Sequence, residues 1–130
     1  MRMTYIHQLL AALLLTSGAA AYAAGNHTHA SQPLHGGVVA ESNDMDYELV
    51  ARPDALTLHV RDHGKPVSVQ GASARLTLLQ GAEKSEVALA PTGEGALQSK
   101  GSFQVAAGTK VVALVTLPGK KPANLRFVLK

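Results

Sequence analysis

Histidines are the residues of this sequence best suited to chemistry, and their spacing is uneven. Three of the six lie within nine residues, and two more are four residues apart. Neutral imidazole is a good ligand for zinc, copper and cobalt ions, and a nearby carboxylate can complete the coordination shell or orient the ring. The candidate metal ligands are His27, His29, His35, His59 and His63, and the carboxylates near them are Glu41, Asp44, Asp46 and Glu48.

Each candidate ligand also has an interpretation without metal. His59 fits a solvated strand residue, His63 a residue of a turn, and His35 a polar residue of a loop. The pair of histidines in His27-Thr28-His29 lacks the fixed ligand spacing that identifies a zinc finger. Both interpretations stay open from the sequence.

The first 23 residues have the order of a secretory signal peptide. A short basic start is followed by an apolar run and by Ala21-Tyr22-Ala23, which fits the small-x-small cleavage rule. The run is shorter than the roughly 20 residues of a membrane span, so we expect a periplasmic protein with no stable span after processing. Cleavage after Ala24 is disfavoured by the bulky Tyr22, but it would start the chain at Gly25-Asn26-His27, which can hold Cu(II) in a square of nitrogens.

Composition argues against two classes of function. Without the signal peptide, which carries Arg2 and no acid, eleven Lys and Arg face nine Asp and Glu, because the whole chain has twelve and nine. The basic residues are dispersed and aromatic residues are few, which disfavours a nucleic-acid interface. Cysteine is absent, and the sequence contains no motif typical of a catalytic nucleophile or a phosphate-binding loop. We therefore expect that the protein is not an enzyme.

The rest of the chain predicts an all-β fold: a small antiparallel β-sandwich of the immunoglobulin-like type. Residues 24–35 lack periodicity and are predicted to form a flexible, histidine-containing arm, followed by a β-sandwich domain over residues 36–130. Period-two alternation places Leu58 and Val60 inside the domain and His59 and Arg61 outside. Seven to nine short strands are predicted among the segments 38–40, 45–52, 55–62, 67–69, 72–79, 85–90, 96–99, 102–105, 110–117 and 124–130.

Several of these segments resemble a known periplasmic family. The H-G-G sequence at 35–37, the D-H-G-K-P-V turn at 62–67 and the strand A-R-L-T-L-L at 74–79 are similar to a small domain associated with heavy-metal efflux systems of the resistance-nodulation-division type. That domain occurs within periplasmic adaptor subunits and as free-standing proteins. The resemblance implies a metal-handling β-domain for zinc, cobalt, cadmium or copper, in which His35 matters most and His63 second.

The sequence thus leaves two candidate functions. The first is binding or buffering of a divalent transition-metal ion in the periplasm, beside a heavy-metal efflux adaptor or pump or with delivery to it. The chain is too short for the coiled-coil hairpin and lipoyl-like halves of a full adaptor, so it would act as a separate chaperone or buffer. The alternative is a non-catalytic, immunoglobulin-like interaction module that binds a partner through an edge strand or loops without metal.

Overall fold

The computed structural model describes residues 32–93 and 95–130 and contains nine antiparallel β-strands. Within these ranges no helix is present, so none is long and apolar enough to cross a membrane. The all-β prediction is confirmed. The predicted signal peptide and most of the predicted arm, with His27 and His29, lie outside the described residues. The strands are β1 (Val38–Ser42), β2 (Met45–Arg52), β3 (Ala55–Asp62), β4 (Lys65–Pro66), β5 (Ser73–Gln80), β6 (Glu83–Gly93), β7 (Ala96–Lys100), β8 (Lys110–Thr116) and β9 (Ala123–Val128).

The strands form one continuous path that nearly closes on itself, in a barrel-like or sandwich-like arrangement. Their order is β1-β2-β3-β7-β6-β5-β8-β9, and the short β4 pairs with β3. The spatial order β8-β5-β6-β7 is a Greek key, the connection found in most β-sandwiches. The two ends of the path, β1 and β9, pack against one another. β6 joins the two halves of the fold, because its first part pairs with β5 and its last residues pair with β7.

Alternation along the strands builds the core as the sequence predicts. Leu56, Leu58 and Val60 of β3 are buried, and so are Leu76 of β5 and Leu97 of β7. Full burial of an aliphatic side chain of this size stabilises a fold by roughly 1.5 to 3 kcal/mol. The core therefore lies between facing strands and consists almost entirely of aliphatic side chains.

Two predicted strands, at 67–69 and 102–105, are wrong. Each segment closely follows a strand, β4 or β7, but forms no strand pairing of its own beyond isolated backbone hydrogen bonds. The N–H of Val67 donates to the carbonyl of Val60, and the N–H of Phe103 donates to the carbonyl of Pro53. Val69 is nevertheless buried, so the apolar pattern at 67–69 reflects packing against the core without strand pairing.

Candidate functional site

The candidate site lies on the outer face of the β2–β3 hairpin. The two-residue turn between Arg52 and Ala55 sets the register, which places Glu48 directly opposite His59 and Asp46 opposite Arg61. These side chains alternate with core residues and therefore point away from the core. Glu48 and Arg61 are nonetheless only 0% and 4% exposed. Arg61 therefore points outward, as strand alternation predicts, but it is buried on that outer face.

Residues 32–37, which run into β1, bury this outer face. Their backbone is held by the Glu48 carboxylate, which accepts hydrogen bonds from the N–H groups of Leu34 (2.9 Å), His35 (2.8 Å) and Gly37 (2.9 Å). Successive N–H groups that surround an oxyanion in this way form an anion-binding concavity. The last four residues of the predicted arm, 32–35, thus lie in contact with the domain.

Both glycines of the H-G-G sequence are required by this geometry. Gly36 has φ +76°, a left-handed conformation that glycine adopts without a steric penalty. A Cβ at Gly37 would overlap the backbone oxygen of Leu49. The H-G-G sequence, one of the segments that carry the family resemblance, therefore has a structural role, because its glycines let the chain turn around the Glu48 carboxylate and approach β2 closely.

Hydrogen bonding keeps Glu48 ionised despite its burial. Burial alone raises the pKa of a carboxyl group, but here the hydrogen bonds from Gly37, Leu34 and His35 outweigh it. They lower the pKa of Glu48 from 4.5 to about 2. At neutral pH the carboxylate is therefore a buried negative charge that can only accept hydrogen bonds.

The same carboxylate fixes the ring of His35. Nδ1 of His35 lies 3.1 Å from Oε1 of Glu48, and because the carboxylate has no proton to give, Nδ1 is the donor. In the neutral ring the lone pair then belongs to Nε2. A carboxylate that holds one ring nitrogen in this way is the usual support of a metal-ligating histidine. The His35 side chain is 46% exposed, so an ion in solution has access to the ring.

His59 lies directly against His35. The two ring centroids are 3.7 Å apart and the planes are parallel to within 1°. The pKa of His59 is lowered by burial and further by His35 and Arg61, while Glu48 acts in the opposite direction. His59 is thus uncharged at neutral pH, and its ring keeps a nitrogen lone pair. Two imidazoles, one of them anchored by a buried carboxylate, are the donor set of the site.

Arg61 is the residue of the site that sequence reasoning missed. Its Nη1 lies 3.5 Å from Oε1 of Glu48, and its Nη2 donates to the carbonyl of Gln32 at 3.2 Å. Its Nε and Nη1 have no hydrogen-bond partner in the described part of the chain. The signal was present in the sequence, because the short turn fixes the hairpin register and puts a glutamate and an arginine on one outer face.

The other candidates lie apart from this pair of rings. His63 occupies the β3–β4 turn with φ +50°, and its side chain is 83% exposed and bonds through Nδ1 to the Asp62 carboxylate. Glu41 and Asp44 are exposed and make no ion pair among the described residues. Over residues 32–93 and 95–130, no three histidine or acidic side chains converge as a ready-made metal site.

Comparisons with known proteins give no relative. No protein-family model, no curated protein and no solved structure matches this chain.

Proposed function

We propose that this protein binds a divalent transition-metal ion, zinc, copper or cobalt, with His35 and His59 as ligands. The observation that carries the proposal is the bond between Nδ1 of His35 and the buried Glu48 carboxylate. It holds the ring in the tautomer whose Nε2 can ligate, and it makes that nitrogen a stronger donor. The ions named are those that imidazole favours.

Binding of one ion by both rings requires the stack to open. The lone pair of an imidazole lies in the plane of its ring, and zinc binds imidazole at about 2.0–2.1 Å. Two parallel rings 3.7 Å apart direct their lone pairs into separate planes, so these cannot meet at one ion. Because His35 is anchored at Nδ1, we expect the half-buried His59 ring to rotate.

The preceding segment supplies further donors. His29 is six residues before His35, and an extended chain of that length spans at most roughly 20 Å, so His27 and His29 can return to the site. A site with two ligands on the domain and others on the arm suits exchange of the ion, since structural zinc sites have four fixed ligands. Together with the signal-like N-terminus and the efflux-family resemblance, this supports buffering or delivery of metal in the periplasm.

The test is a titration of the chain that starts at Ala24 with Zn(II), Cu(II) and Co(II), followed by NMR at about pH 7. Zn(II) is expected to shift the imidazole and amide signals of His35 and His59 first. Affinity should fall as pH decreases below about 6.5, because a protonated ring cannot ligate. The variants His35→Gln and His59→Gln each remove one ligand, and each is expected to weaken binding about tenfold or more.

His63→Gln is the matched control, because it removes a histidine that lies outside the pair of rings. It is expected to bind the ion as the native chain does. Binding that depends on His63 but not on His35 would overturn the assignment of the site. An unchanged spectrum with all three ions at neutral pH would overturn metal binding itself and favour the interaction module.

A further inference from the structure

The first part of β6 is paired on one side only. Glu83–Leu89 pairs with β5, whereas only Ala90, Pro91 and Gly93 have partners in β7. β7 leaves β6 at this point because its continuation follows the β2–β3 turn, where the N–H of Gly101 donates to the carbonyl of Asp54. Among the described residues, the edge of β6 from Glu83 to Leu89 that faces away from β5 has no strand beside it.

This edge differs from the two ends of the sheet path. β1 and β9 pack against each other, so neither has room for an added strand. The β6 edge instead borders a groove of about 590 Å³ whose apolar lining includes Leu78, Val87 and Phe103. An unpaired row of N–H and C=O groups beside such a groove is a template for another strand.

The charges on this edge select its partner. Lys84 and Glu86 are both exposed and lie on the same face of β6, with Nζ and Oε1 3.9 Å apart. We propose that this edge pairs with the same edge of a second copy of the chain, antiparallel, about a two-fold axis at Ser85. In that register Lys84 of each copy lies opposite Glu86 of the other, which gives two cross-strand pairs of opposite charge.

Symmetry leaves few alternative registers. A two-fold axis perpendicular to the sheet keeps each residue on its own face, so the axis must pass through a residue position. An axis at residue 84 would oppose two lysines, and an axis at 83 or at 86 would oppose two glutamates. Like charges directly opposite destabilise strand pairing, so Ser85 is the centre that these four positions favour.

Sedimentation of the chain that starts at Ala24, in EDTA and at low ionic strength, tests this proposal without any contribution from metal. We expect a concentration-dependent dimer that added salt weakens. Lys84→Glu and Glu86→Lys each replace two attractive pairs by two repulsive ones, and each should raise the dissociation constant about tenfold or more. The double variant carrying both changes restores the opposite pairing and should recover the native constant.

Lys110→Glu is the matched control, because Lys110 is exposed on β8 and its reversal should leave the dimer unchanged. A chain that stays monomeric at every concentration would overturn the proposal. A dimer that is indifferent to both single reversals, or one that the double variant fails to restore, would also overturn it. The metal proposal is independent of each of these outcomes, since EDTA is present throughout.

Discussion

Replacement of Glu48 by glutamine tests whether one buried carboxylate holds the outer site together. The side chain keeps its size, but it loses its charge and one of its two acceptor oxygens. The carboxylate currently accepts three backbone N–H groups and one imidazole N–H, and it lies 3.5 Å from a guanidinium nitrogen of Arg61. In the variant Glu48→Gln the buried Arg61 loses the negative charge of Glu48, and residues 34–37 lose part of their anchor.

The expected cost follows from the pKa. A carboxyl group whose pKa falls from 4.5 to about 2 on folding contributes roughly 3 kcal/mol to the free energy of unfolding at neutral pH. Removal of one partner from a buried ion pair typically costs about 3–5 kcal/mol, a range that includes the value obtained from the pKa of Glu48. For a domain of about 100 residues, a loss of 3 kcal/mol lowers Tm by roughly 12 to 24 °C.

The pH dependence distinguishes the charge from mere packing. The pKa of Glu48 is lower in the folded chain than in the unfolded one, so its stabilisation is present above about pH 4.5 and disappears as pH falls toward 2. The difference in unfolding free energy between the native chain and Glu48→Gln should shrink from roughly 3 kcal/mol at pH 7 to roughly 1.5 kcal/mol near pH 3. Urea unfolding followed by far-UV circular dichroism measures both values.

Glu41→Gln is the control, since Glu41 is exposed on the neighbouring β1 and should change stability by no more than about 0.5 kcal/mol. The reasoning is refuted if Glu48→Gln unfolds within about 1 kcal/mol of the native chain at neutral pH. It is also refuted if the difference between the two chains stays constant down to pH 3.

Three further outcomes follow from the same site. Arg61→Met should cost less than about 2 kcal/mol in urea unfolding. The buried Nε and Nη1 of Arg61 have no hydrogen-bond partner among residues 32–93 and 95–130, and Glu48 keeps its other donors in this variant. Gly37→Ala should lower the thermal stability of the chain more than Gly36→Ala does. A Cβ at Gly37 would overlap the backbone of Leu49, whereas a Cβ at Gly36 meets no atom and costs only the strain of a left-handed conformation, about 1–2 kcal/mol. The pKa of His59, next to His35, Glu48 and Arg61, is lowered in the folded chain, so below about pH 6.5 the unfolded chain binds more protons than the folded one. The free energy of unfolding in EDTA should therefore decrease as pH falls below about 6.5. His59→Gln should reduce this dependence of stability on pH.

Much of the fold could be predicted from local patterns. The bounds of β2 and β3 were predicted to the residue, because strict alternation and a Pro-Asp turn define that hairpin. The segments at 67–69 and 102–105 failed as strands, since whether an apolar run finds a pairing partner depends on the path of distant strands. The division of β6 between two partners has the same cause, and no local signal marks the residue where one partner replaces the other.

For the candidate site, the sequence by itself determined the residue types, the face on which they lie and the hairpin register that brings Glu48 opposite His59. Only the tertiary structure decided that this outer face is covered, because burial there depends on where residues 32–37 cross. Alternation is a property of one strand and can be predicted from its own residues. The ionisation state of Glu48 and the stacking of the His35 and His59 rings depend on contacts between segments that are more than ten residues apart in the chain.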